Sequence, residues 1–171
     1  MKGTRRIVFI SILVAQALVL YVVESMIPVP FVTPGAKLGL SNIVTLMALY
    51  ILDFKDVFLI VILRIMLATL IGGTLSSFFY SIAGGLLSLF AMYAIKRAGK
   101  EKVSIIGVSI LGAVFHNIGQ VLVAAFIIQN IMIVTYLPIL LIAGIGTGIF
   151  IGFTGRYLLV YLKRLALYKT N

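Results

Sequence analysis

Residues 62–73 read ILRIMLATLIGG, an apolar run that carries an arginine near its start. On insertion scales, arginine at the centre of a bilayer costs about 2.5–3.5 kcal/mol. The guanidinium cannot avoid that cost by losing its proton. Arg64 must therefore face the inside of a helix bundle or a wet cavity, with an acceptor close by.

The rest of the chain supplies the bundle. Of its 171 residues 63% are hydrophobic and 11% charged, and the mean hydropathy is +1.25. Soluble domains average about 25% charged residues, so this composition indicates an all-α integral membrane protein. At about 20 residues per crossing, the length suits a six-helix bundle forming a single transmembrane domain over residues 1–171. The start, MKGTRR followed by IVFISILVAQALVLYVV, has the charges of a signal peptide but too long an apolar run and no small-residue cleavage site, so it reads as a retained first helix. With no cysteine, disulfides, thiol catalysis and thiolate metal sites are excluded.

Helices are expected over about 7–26, 38–52, 57–71, 76–95, 103–128 and 133–162. Pro28, Pro30 and Pro34 end the first. DFKD at 53–56 stops the second as a solvated turn, and Gly72-Gly73 ends the third. The second and third look short for a full crossing. With the N-terminus inside, Lys2, Arg5, Arg6, Lys55, Lys96, Arg97, Lys100, Lys102, Arg156, Lys163, Arg164 and Lys169 all fall on the cytoplasmic side. The positive-inside rule then puts both termini in the cytoplasm of a multi-pass plasma-membrane protein. The net charge of +10 is thus an orientation signal, and a nucleic-acid partner is excluded.

Three polar groups stand out. Arg64 is the first, with two readings that can coexist: a buried ion pair with Glu24, or a clamp for an anionic ligand. The second lies in GAVFHNIGQVLVAA (112–125), where Gly112, His116, Gln120 and Ala124 share one stripe and Asn117 lies beside it. His116 is either a hydrogen-bonded core residue or a ligand contact; without a second histidine a His-rich metal site is not expected. The third is FVTPGAKLGLSNIVTL (31–46), with Lys37 as the one outer positive charge and Ser41 and Asn42 entering the membrane. Thr69, Ser76, Ser77 and Tyr80 lie at the outer ends of the third and fourth helices. Glu24, Lys37, Asn42, Thr69, Ser76 and Gln120 belong to the outer half, with Arg64 and His116 as the floor. This is the pattern of an outward-opening pocket for a small anion.

Catalysis has little to work with. The chain has four acidic residues, and Asp53 and Asp56 share a short turn with Lys55 between them, unlike the aspartate-rich clusters that hold magnesium for prenyl transfer. There is no Ser–His–acid set, no phosphate-cradling glycine loop and no nucleotide motif, so neither an enzyme nor a cofactor or metal is expected. Small residues recur at helical spacing in Gly144, Gly148 and Gly152, read as internal packing, and in Ser11 and Ala15.

PGAKLGLSNIVTL (34–46), RIMLATLIGGTLSSFFYSIAGGLLSL (64–89) and GAVFHNIGQVLVA (112–124) resemble the membrane family labelled heptaprenyl diphosphate synthase component I, also called the Gx transporter family. That family is similar to the substrate-binding S components of energy-coupling-factor (ECF) transporters. The resemblance implies a six-helix subunit that captures a vitamin, isoprenoid or quinone precursor from outside and delivers it with a transmembrane coupling subunit and two ATPases. It further implies that Ser11 and Ala15 dock on the coupling subunit and that residues 28–37 cover the pocket. Two other readings stay open: a non-catalytic membrane subunit assisting polyprenyl diphosphate synthesis, and a solitary carrier in which Glu24 or His116 takes a proton.

Overall fold

A computed structural model describes residues 3–26, 39–99 and 102–164. The described residues form helices and no strands: α1 (Thr4–Met26), α2 (Asn42–Ile51), α3 (Phe54–Gly72), α4 (Leu75–Gly99), α5 (Ile105–Ile128) and α6 (Leu137–Arg164), with a 3-10 turn at Ile131–Tyr136 before α6. α1, α4, α5 and the segment Ile131–Leu162 are each long and apolar enough to cross a membrane. Helices suit that setting because each backbone donor and acceptor is satisfied within its own segment. Bulky apolar side chains on their outer faces, such as Ile12, Val19, Phe126, Ile142 and Phe150, are exposed. The protein is a membrane-spanning helical bundle.

α2 is the exception in length and the hub in packing. It has 10 residues, about 15 Å, half of a hydrocarbon core of about 30 Å. Every residue from Asn42 to Leu49 is buried, and the helix touches all five others. Around it, α1 packs on α3, α3 on α4, α4 on α5 and α5 on α6, the last two contacts being the most extensive. Leu46, Ile60, Leu89, Met92 and Ile151 fill the centre.

α2 begins at Asn42 rather than near 38 because Gly39 is left-handed at φ +84, a conformation that only glycine takes at little cost and that no α-helix contains. α6 begins at Leu137 rather than 133; Pro138 then falls in the first turn, where the missing N–H is not needed. α4 runs on to Gly99, with Lys96 and Arg97 in its last turn, where cations meet the negative end of the helix dipole. Lys96 also reaches back to donate to the Leu49 carbonyl and sits 4.6 Å from the Tyr50 ring centre, closing the C-terminal end of α2.

The DFKD turn departs from its reading as solvated. Asp53 is exposed, but Asp56 is buried and accepts two hydrogen bonds from Arg6 Nε, at 2.9 and 3.1 Å. The expectation failed because the partner stands 50 residues away on α1, beyond any local pattern. The glycine stripe of α6 lies against α5: a Cβ at Gly148 or Gly152 would stand 2.6 or 2.7 Å from the Cα of Ile110 or Ile106.

Candidate functional site

Four helices and one turn bring polar groups to a common cavity. Arg64 lies near the middle of α3 and is buried, as is Glu24 in the last turn of α1. Between them runs the turn 39–41 at the head of α2. The Glu24 carboxylate accepts from the backbone N–H of Gly39 and, at 3.1 Å, from that of Leu40. Arg64 donates through Nη1 to Ser41 Oγ in the same turn. The opposite charges of Glu24 and Arg64 attract, so an acid from α1 and a base from α3 hold one turn from two sides.

α4 and α5 form the other wall. His116 and Gln120 are one turn apart on α5, and both are buried. They pack on Gly84, where a Cβ would stand 3.0 Å from His116 Cε1 and 3.0 Å from Gln120 Cγ. At the next residue, Gly85, a Cβ would stand 3.3 Å from Arg64 Nη2. The Gly84-Gly85 pair thus makes room for imidazole and guanidinium together. Gly39 has the same role opposite: a Cβ there would lie 2.8 Å from Asn42 Nδ2 and 3.3 Å from His116 Cδ2.

The cavity is lined by Tyr21, Glu24, Gly39, Ser41, Arg64, Ile65, Ala68, Ser81, His116 and Gln120 and measures about 20 Å³, room for about one water. Several buried atoms around it have no hydrogen-bond partner among the described residues: Arg64 Nε, both ring nitrogens of His116, and the amide Nδ2 and Oδ1 of Asn42. His116 does approach the Gly84 backbone, but without a bond of ordinary geometry. Leaving such a group unsatisfied costs about 1–3 kcal/mol, so a concentration of them around one cavity calls for a water or a ligand group. Outside the cavity lining, the buried hydroxyls of Ser88 on α4 and Ser109 on α5 also have no partner among the described residues. Among the described residues no three His, Cys, Asp or Glu side chains come together to hold a metal. The chemistry on offer is hydrogen bonding and charge, by the Arg64 guanidinium, the Glu24 carboxylate, the His116 imidazole and the amides of Gln120 and Asn42.

Of the residues singled out in the sequence, Arg64, Glu24, His116 and Gln120 line the cavity, and Asn42 lies against Gly39 at its edge. Lys37 lies outside the described residues. The others are placed elsewhere. Asn117 donates to the Leu140 carbonyl at 2.6 Å and so joins α5 to α6. Thr69 donates to Ile65 in its own helix at 2.9 Å. Tyr80 is buried with Val121, Ala124 and Ile133 in a separate apolar cluster. Ser76 is half-buried at the start of α4. Ser11 and Ala15 are exposed on α1. Sequence reasoning gave no cavity role to Tyr21, Gly39 and Ser81, and named Ser41 only as entering the membrane beside Asn42. The small and polar series Ser77, Ser81, Gly84, Gly85, Ser88 along α4 was a readable signal for Ser81.

No curated protein and no solved structure matches the chain. The profile described as heptaprenyl diphosphate synthase component I matches residues 13–158, a stretch that includes every residue lining the cavity. The chain belongs to the heptaprenyl diphosphate synthase component I family.

Proposed function

We propose that this protein is a non-catalytic, substrate-binding membrane subunit of the ECF type. In this reading it crosses the plasma membrane six times with both termini in the cytoplasm. It takes a small anionic vitamin, isoprenoid or quinone precursor from outside. A coupling subunit that docks over Ser11 and Ala15, together with two ATPases, completes uptake. One observation carries the reading: a buried arginine with an unsatisfied Nε faces an equally unsatisfied histidine across a cavity. Arg64 supplies the charge, and His116, Gln120 and Asn42 supply orienting hydrogen bonds, with Lys37 at the mouth.

At about 20 Å³ the cavity accepts no more than part of a headgroup, whereas pockets for whole small ligands are about 300–1,000 Å³. Capture therefore includes an opening of the helices around Arg64. The test is mass spectrometry of small molecules that co-purify with the wild-type protein in mild detergent, beside Arg64→Gln. A species present in the first and missing from the second supports the reading. Identical lipid in both, or an empty wild type, refutes it. Cysteines at Thr74 and Lys102 test the orientation: the first should label from outside and the second only after permeabilisation.

The family description favours a second reading, a membrane component that assists a polyprenyl diphosphate synthase. Affinity capture from the membrane separates the two. Co-purifying ATPases support uptake, and a soluble prenyl synthase supports the assisting role.

A further inference from the structure

We infer that Glu24 is a resident competitor for the anion site: it occupies the field of Arg64 until a ligand anion displaces it, and its displacement loosens the turn at the head of α2. The inference rests on the anion-site reading above and deepens it. Arg64 brings one positive charge into the buried cavity and Glu24 one negative charge, so the cavity is balanced as it stands. An anion added beside Glu24 would leave an uncompensated negative charge in a low-dielectric interior, which is strongly unfavourable. An anionic ligand can take Arg64 only by moving the Glu24 carboxylate away from it.

That carboxylate is not held by charge alone. It accepts from the Gly39 and Leu40 N–H groups, and Arg64 holds Ser41 of the same turn. Moving Glu24 away from Arg64, and turning Arg64 toward the ligand, removes hydrogen bonds from three consecutive residues. Gly39 also separates Asn42 from His116, so a shift of this turn changes the wall that faces the imidazole. Ligand charge at Arg64 and the geometry at the start of α2 are thereby one equilibrium. Glu24 also sets selectivity, because a ligand must carry enough negative charge at its head to outcompete a carboxylate already in place.

The experiment uses full-length protein in nanodiscs and monocarboxylates from acetate to octanoate as probes, with Arg64→Gln as the control for site occupancy. Affinities are measured for wild type and Glu24→Gln, which keeps the size of the side chain and one acceptor for the turn. Hydrogen exchange is followed at the Gly39 and Leu40 amides. The expected result is tighter carboxylate binding by Glu24→Gln, about tenfold or more, and faster exchange at those two amides when wild type is saturated. Exchange alone decides the matter should Glu24→Gln fail to fold. Weaker binding by Glu24→Gln, or slower exchange on saturation, overturns the competitor role and makes Glu24 part of the ligand's own contacts. Absence of any Arg64-dependent carboxylate binding in both proteins overturns the anion-site reading itself.

Discussion

α1 and α3 are joined by charge at two levels, with the polarity reversed between them. At the start of both helices α1 supplies the base and α3 the acid: Arg6 meets Asp56 directly through Nε. Further along, α1 supplies the acid and α3 the base, and Glu24 and Arg64 both hold the turn 39–41. The Arg6 side chain is 43% exposed, whereas Arg64 and Glu24 are buried. Burial with incomplete satisfaction, rather than the presence of an ion pair, separates a site from a clip. Water can hydrate whatever Arg6 leaves unmade, but it has little access to Arg64 Nε.

The largest effect expected from this difference is at Arg64. On the proposed anion-site reading, Arg64→Gln should reduce anion binding about 100-fold or more, as truncation of a buried, hydrogen-bonded charge does. It also removes the positive charge facing Glu24, which should destabilise the fold by about 3 kcal/mol or more. Adding Glu24→Gln should then restore thermal stability in detergent without restoring binding. If the double variant binds like wild type, the guanidinium is structural and the contrast with Arg6 disappears.

The glycines give the next test, because the site needs close approach where the lipid-facing surface does not. A Cβ at Gly84 would meet the His116 carbonyl oxygen at 2.9 Å, in addition to the imidazole and Gln120, while Gly146 has nothing within 4 Å. Gly84→Ala should cost about 1–3 kcal/mol as overpacking, and Gly146→Ala should be neutral or stabilising by up to about 1 kcal/mol through helix propensity. Equal melting temperatures for the two variants would mean that α4 and α5 can separate without cost at the level of the site.

These residues also mark how far the sequence could be read. Hydropathy gives the long helices because a lipid-facing surface leaves no other pattern. Arg64, Glu24, His116 and Gln120 were legible as cavity residues because polar groups in apolar runs have to face inward. Asn117 and Tyr80 were not, because facing inward does not say which neighbour is faced: Asn117 serves the α6 backbone and Tyr80 an apolar cluster. Asp56 was misread as solvated, since its partner on α1 leaves no mark in the local sequence. The start of α2 was placed too early because nothing in KLGLSN by itself forces Gly39 into positive φ. The Glu24 acceptor that pins the following amides is a tertiary contact.

A smaller effect belongs to His116. His116→Gln keeps a hydrogen-bonding group of similar reach in the cavity but moves it, so anion affinity should fall about tenfold, the scale of one hydrogen bond to a charged group. Arg64→Gln should remain the more damaging change. A larger loss at His116 than at Arg64 would make the imidazole, and not the guanidinium, the main contact.

The smallest effect should be at the clip. Arg6→Gln removes a pair whose basic member is 43% exposed, and a pair open to water at one end contributes less than a fully buried one. Arg6 is also remote from the cavity lining, and substitutions at separated sites without shared partners act independently. Anion affinity should therefore stay within about twofold of wild type, in the same binding assay that registers Arg64→Gln. The one structural consequence expected is at Asp56, which is buried on α3 and would draw water or Lys55 toward it when Arg6 is gone. A strong loss of binding in Arg6→Gln would mean that the two levels of the α1–α3 contact are coupled, with α1 moving as one lever between its two charges. The distinction between clip and site would then be one of position along a single element, with no difference in role.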